Sequence, residues 1–132
     1  MNGKGVIYYL KDEWTKIGYN DNDSINTPWI ALTLQNSWTV MSGTRAVYRK
    51  VYGMVQLDIH ITGGSYTGGP IIIATLPSGY RPHVQELFAA VGQLSSSPAF
   101  VPMLQINTDG TLLVGNLAGN SQFHFSGMFP IQ

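Results

Sequence analysis

The sequence contains no cysteine, which excludes a disulfide-stapled miniprotein, a thiolate metal site and a cysteine enzyme. Charge is scarce: the charged residues make up 11% of the chain, against roughly 25% in an average soluble protein. Because 7 Lys and Arg residues balance 7 Asp and Glu residues, nucleic acid is not an expected partner. Such a neutral surface is poorly soluble unless Asn, Ser, Thr and Gln solvate it or an oligomer buries part of it.

Long apolar stretches are absent as well. The longest, residues 71–74 and 87–91, are too short to cross a bilayer, so membrane insertion is not expected. The apolar run at residues 6–10 is followed directly by Lys11, Asp12 and Glu13, which does not fit a secretory signal peptide. The 132 residues are 44% hydrophobic, which is enough to build the core of one ordinary domain.

Short alternating and β-branched stretches cover most of the chain and predict an all-β fold. Residues 52–61 alternate most clearly, with one aliphatic face made of Val55, Leu57, Ile59 and Ile61. Residues 122–129 behave likewise, with three phenylalanines expected in the core, Phe123, Phe125 and Phe129. About nine or ten such strands, with no long helical period, predict an antiparallel β-sandwich or jelly roll.

The turn signals predict how these strands are divided. A polar tract at residues 20–24 separates an expected N-terminal arm or hairpin, residues 1–25, from an expected sandwich head, residues 26–132. Asp109-Gly110 predicts a two-residue type I′ hairpin, which places Ile106 and Leu113 on one face and Leu112 on the other. Residues 86–92 read as one strand, with a single helical turn over residues 86–91 as the alternative.

Some predicted strands are apolar on both faces, as in the run Ile71, Ile72 and Ile73. Strands of this kind are usually covered on both sides. In one small sandwich the core covers one face of such a strand, and a loop or another subunit must cover the other. We favour another subunit, because no predicted helix is available to cover it.

Searches for catalytic motifs are mostly negative. Residues 63–67 begin like a nucleophile elbow but end in Thr67 where the motif requires glycine. No phosphate-binding loop is present, and the carboxylates are scattered rather than paired. The sequence therefore predicts a protein that is not an enzyme and that uses no cofactor.

One polar group of residues could carry a function. Asp58 and His60 share the outward face of a predicted strand, about 7 Å apart, and His124 lies on the polar face of the last strand. This is either a plain solvated face or a hydrogen-bonding site for a neutral polar ligand, because Asp accepts from hydroxyls and His donates or accepts. A metal site made of the same three residues is a much weaker alternative, and no metal is expected.

Aromatic rings offer the apolar platforms on which the C–H faces of sugars pack. Tyr66 lies at the centre of a glycine-rich loop, residues 63–70, and is the first candidate for exposure. Trp38 is a second stacking candidate, although the aliphatic residues around Trp29 and Trp38 favour the core or an interface for both. The predicted saccharide-binding residues are thus Asp58, His60, His124, Tyr66 and Trp38.

Several motifs between residues 29 and 129 resemble the C-terminal heads of bacteriophage tail-fibre and baseplate receptor-binding proteins. They are Trp29-x-x-Leu32-x-Leu34-x-Asn36-x-Trp38, then Ala46-Val47-Tyr48-Arg49-Lys50, Val55-x-Leu57, Leu76-Pro77-Ser78-Gly79-Tyr80-Arg81-Pro82, Asp109-Gly110 and Gly127-x-Phe129. The stretch from Leu76 to Pro82 is the most specific. Its Tyr80 and Arg81 either project for contact or, as we favour, pack on the sandwich edge and bond backbone carbonyls.

The resemblance implies a homotrimeric head at the virion's tail tip or baseplate, which attaches the phage to host cell-wall polysaccharide or teichoic acid. Other baseplate or tail proteins are the further partners that it implies. Two alternatives stay open: a structural trimeric connector with no glycan site of its own and, less favoured, a glycan depolymerase.

Overall fold

The computed structural model describes residues 26–93, 100–117 and 121–131, and the regular structure in these ranges is all β-strand. No helix in the described residues is long and apolar enough to cross a membrane. The predicted arm (residues 1–25) and the serine-rich loop at residues 94–98 lie outside the described residues, so the division into arm and head stays a prediction.

In the described residues ten strands form two antiparallel sheets, which confirms the predicted sandwich. The larger sheet contains β1 (Ile30–Ala31), β2 (Thr39–Val40), β3 (Ala46–Val51), β4 (Met54–Thr62), β7 (Val91–Gln93) and β10 (Gln122–Pro130). The smaller contains β5 (Ile71–Thr75), β6 (Glu86–Ala89), β8 (Met103–Ile106) and β9 (Thr111–Gly115). In the larger sheet the strands follow the order β1-β3-β4-β10-β7, and β2 is also paired to β4. In the smaller sheet the order is β5-β9-β8-β6.

The core lies between the two sheets, and β4 and β10 supply its centre. Their alternation is as predicted: the four aliphatic residues of β4 and the three phenylalanines of β10 are all buried. Completely burying such a side chain stabilises the fold by about 1.5–3 kcal/mol. The opposite face of these two strands is left outside the core, and it carries the polar residues discussed below.

The second strand of the hairpin between β3 and β4 begins two residues later than predicted. Tyr52 and Gly53 have φ values of +45° and +80°, as both central residues of a type I′ turn require. Strand β4 therefore begins at Met54, and Tyr52 belongs to the turn rather than to the strand.

The predicted two-residue turn at Asp109-Gly110 is wrong. The loop has three residues, 108–110, closed by a hydrogen bond from the Asn107 N–H to the Thr111 carbonyl. Only Gly110 among them has a positive φ, as in a three-residue loop with a glycine bulge. The register therefore pairs Ile106 with Leu112, and Leu113 faces outward instead.

Residues 86–92 form neither one strand nor a helical turn. The chain leaves the smaller sheet after Ala89 and joins the larger sheet at Val91, with Ala90 buried between β6 and β7. A continuous apolar run does not reveal this change of sheet.

The corner formed by residues 76–82 confirms the packing interpretation. The Tyr80 ring meets the Tyr48 ring edge-on at 5.0 Å, and the Arg81 Nε–H donates to the Leu76 carbonyl at 2.9 Å. Gly79 has φ +93°, which permits a tight turn here. The turn is closed by a hydrogen bond from the Tyr80 N–H to the Pro77 carbonyl. Burial, with the nearby Tyr80 as a second cause, raises the pKa of the Tyr48 hydroxyl.

Candidate functional site

A polar depression with a volume of about 370 Å³ lies on the outer face of the larger sheet. Asp58 and His60 of β4 and His124 of β10 line it, together with the loop residues Gly43, Thr44 and Arg45. The three predicted residues meet here because inward and outward positions alternate along both strands. The hydrophobic positions that bury β4 and β10 thus also fix which polar side chains face out.

The two histidines form the centre of this surface. His60 and His124 are cross-strand partners, and their rings stack with centroids 4.8 Å apart and planes inclined by 25°. Directly opposite positions in antiparallel strands lie about 4.5–5.5 Å apart, which brings the two rings into contact. Both residues line the depression, so side chains from two strands contribute to one site.

Arg45 connects the depression to a tryptophan on its flank. The Arg45 Nε–H donates to Asp58 Oδ2 at 2.6 Å, and the two side chains are 51% and 25% exposed. The same guanidinium lies 4.4 Å from the centroid of the Trp29 ring, and Arg49 lies 4.2 Å from that ring. Arg49 is in turn bonded to Gln56 at 2.8 Å. The guanidinium of Arg45 thus contacts both the Trp29 ring and the Asp58 carboxylate.

A second, smaller depression of about 160 Å³ lies on the other side of the histidine pair. It is lined by Val91, Gly92 and Gln93 of β7, by Gln122 of β10, and by both histidines. The two depressions share the imidazoles and follow one another across the strands.

The remaining two predicted residues lie elsewhere. Trp38 is only 3% exposed, and a Cβ atom on Gly64 would lie 1.9 Å from its ring, so the glycine backbone covers it. Its indole Nε1 is buried without a hydrogen-bond partner in the described residues. Tyr66 is partly buried and packs against the core. Neither ring lines the depression, so the site as it stands contains no stacking platform from these two residues.

Arg45, Trp29 and the residues of β7 were not predicted as parts of the site. The alternation of Arg45, just before β3, with Val47 and Arg49 on that strand is the signal that could have placed both arginines on the outer face. No local signal could have found Gln93, because its place beside Gln122 depends on which strands pair.

The depression offers both hydrogen-bond donors and acceptors. Its lining combines a carboxylate acceptor, guanidinium donors and imidazoles that donate or accept, which suits hydroxyl-bearing ligands. Asp58 is the one carboxylate that lines the depression. Across the described ranges, no cluster of three or more His, Asp and Glu residues could hold a metal ion.

The depression lies at the opposite end of the larger sheet from Asn26, where the predicted arm would join the head, a place called the chain entry below. Asn26 bridges to Val51 beside the β3–β4 turn, and the Ile131 N–H donates to the Gly53 carbonyl at the same end. His60 lies six residues along β4 from Met54, or about 20 Å at the usual rise of a strand.

No family model and no curated protein matches this sequence. Solved structures do resemble it. The receptor binding protein gp15 of Listeria phage PSA superposes with a TM-score of 0.66 at 15% identity, over 99% of this chain and 83% of that one. The head domain of the lactococcal phage bIL170 superposes with a TM-score of 0.61 at 16% identity, over 80% of this chain and 98% of that one. The chain thus has the fold of phage receptor-binding heads.

Proposed function

We propose that this chain is the receptor-binding head of a bacteriophage tail-tip or baseplate protein and attaches the virion to a host-surface saccharide. The observation that carries the proposal is the polar depression of Asp58, His60 and His124 at the end of the head away from the chain entry. A head joined to the virion near Asn26 presents this surface outward. The fold shared with two phage receptor-binding proteins supports the same function.

The chemistry of the depression favours a saccharide as the ligand. Asp58 accepts from sugar hydroxyls with the carboxylate oxygen that Arg45 leaves free, and the imidazoles donate or accept. Arg45 and Arg49 outnumber the single carboxylate on this face, so an anionic polymer such as teichoic acid fits as well as a neutral wall polysaccharide.

Binding is favoured over hydrolysis. Glycosidases generally place two carboxyl groups on either side of the scissile bond. Here Asp58 has an arginine beside it, and the other carboxylates of the described residues, Glu86 and Asp109, do not line the depression.

We further propose that the head works as a homotrimer. The outer face of the smaller sheet is largely apolar around Gln105: Leu87 and Val101 are 58% and 62% exposed, and half-buried Ile72, Met103 and Leu113 share that face. Contact between subunits would cover these residues, as expected from the scarcity of charge. Single saccharide sites bind weakly, and several sites on one virion make attachment effective through avidity.

Adsorption to host cells tests the function. The triple variant Asp58→Ala, His60→Ala and His124→Ala should lose at least about tenfold in cell binding, since each loss removes a polar contact with ligand. His83→Ala is the matched control, because His83 is exposed but lies outside the depression. Unchanged adsorption of the folded triple variant would favour the structural connector, and release of reducing ends from wall polysaccharide would favour a depolymerase.

A further inference from the structure

The two depressions on the outer face of the larger sheet together form one groove. They meet at the stacked imidazoles, one on the β3 side and the other on the β7 side. Because the strand order is β3-β4-β10-β7, the groove runs across the strands. Four strands span three spacings of about 4.8 Å, or roughly 14 Å, which is wider than one sugar ring.

The smaller depression differs from the larger one in its chemistry. Gln93 and Gln122 are cross-strand partners there, and each side-chain amide can both donate and accept. Val91, which is 52% exposed, adds an apolar wall. Apart from the imidazoles, every residue that lines this depression is uncharged, whereas Arg45 and Asp58 line the larger one.

The strand that forms the smaller depression is held on both of its edges. Val91, Gly92 and Gln93 pair with β10 on one side. On the other side Gly92 and Phe100 exchange two backbone hydrogen bonds, each 2.8 Å long. In the described part of the chain no hydrogen bond engages the side-chain amide of Gln93 or Gln122, so both side chains remain available to a ligand. A fixed backbone with free amides is well suited to recognising a ligand.

We propose that the smaller depression is a second saccharide subsite, so that the head recognises a ligand of at least two sugar units laid across the strands. The inference rests on the proposed function and extends it. The unit over Arg45 and Asp58 is the more polar or anionic one. The unit over Gln93 and Gln122 is neutral, with hydroxyl or acetamido groups that bond the amides and an apolar edge against Val91. The imidazoles of His60 and His124 contact both units.

The experiment compares ligand length. The wall polysaccharide that supports adsorption is cut and separated into fragments of one and two sugar units, which are titrated into the full chain. Wild-type protein should bind the two-unit fragment about tenfold more tightly than the one-unit fragment. The double variant Gln93→Ala and Gln122→Ala should lose this advantage and bind the one-unit fragment as wild type does. Gln85→Ala, an exposed glutamine outside both depressions, should change neither affinity.

The outcomes separate this inference from the function on which it rests. Equal affinity for both fragments in wild type, or equal losses for both in the double variant, overturns the second subsite and leaves saccharide binding intact. Failure of every polysaccharide fraction to bind overturns the proposed function, and the subsite with it. If the double variant does not fold, Gln93→Glu replaces it, because this substitution keeps the shape of an exposed side chain. It should weaken only the two-unit fragment, and an unchanged affinity for that fragment would count against the subsite.

Discussion

Gly110 lies where the hairpin between β8 and β9 meets the corner of residues 76–82. A Cβ atom there would lie 2.3 Å from the Leu76 carbonyl oxygen, and the residue has φ +92°. We expect Gly110→Ala to lower the free energy of unfolding by at least about 2 kcal/mol, since backbone strain of about 1–2 kcal/mol adds to the clash. Urea denaturation measures this loss. Gly68→Ala is the control, with φ +103° but open space around it, and an equal loss in both variants would contradict the steric argument.

Asp109 gives the same hairpin a dependence on pH. Hydrogen bonds from the backbone N–H and the hydroxyl of Thr111, with a smaller contribution from Arg81, hold the pKa of Asp109 below its ordinary value. A carboxyl with a lowered folded-state pKa contributes stability above its unfolded pKa, about 3.9, and loses it as the pH falls through the folded pKa. The melting temperatures of wild type and Asp109→Asn should therefore differ at neutral pH and converge in acid. A difference in melting temperature that is independent of pH would refute this.

At the scale of elements, the corner of residues 76–82 is expected to stabilise the fold rather than bind ligand. Arg81→Met removes the bond to the Leu76 carbonyl, and a hydrogen bond from a charged donor is worth about 1.5–3 kcal/mol. The free energy of unfolding should fall by about that amount, while adsorption to host cells per folded molecule stays unchanged. Arg45→Met should show the reverse pattern, with less than about 1 kcal/mol of stability lost and weaker adsorption, because the Arg45 side chain is 51% exposed and lines the depression. Loss of adsorption in folded Arg81→Met would show that the corner touches the ligand.

The sequence predicts those elements whose faces differ in polarity. Strands β4 and β10 alternate strictly, so the pattern alone assigns their inward and outward residues, including Asp58, His60 and His124. It does not assign the Asp109-Gly110 register, because the dipeptide suits a two-residue or a three-residue loop. Nor does it reveal the groove, since Gln93 reaches Gln122 through pairing between strands that are distant in the chain.

At the scale of the whole molecule, the apolar face of the smaller sheet predicts assembly. Leu87→Glu with Val101→Glu places two carboxylates on that face, and burying a charge without a partner costs several kcal/mol. Native mass should fall from that of a trimer to that of a folded monomer. Val40→Glu, at an exposed position on the larger sheet, should leave the trimer intact. A wild-type chain that is already monomeric, or a double variant that stays trimeric, would contradict this assembly.

The separation of the chain entry from the polar depression also has a mechanical meaning. If a virion pulls on the chain near Asn26 while a ligand holds the head near His60, the tension runs along the strands. The hydrogen bonds between antiparallel strands are perpendicular to that direction, so they are loaded in shear. Between Asn26 and His60 the load passes from residues 30–31 into β3 and from β3 into β4, whose six residue pairs run from Ala46 with Ile59 to Val51 with Met54. These pairs share the load at the same time instead of opening one after another. In the proposed attachment, strand pairs loaded in this way resist the pull of a tethered particle.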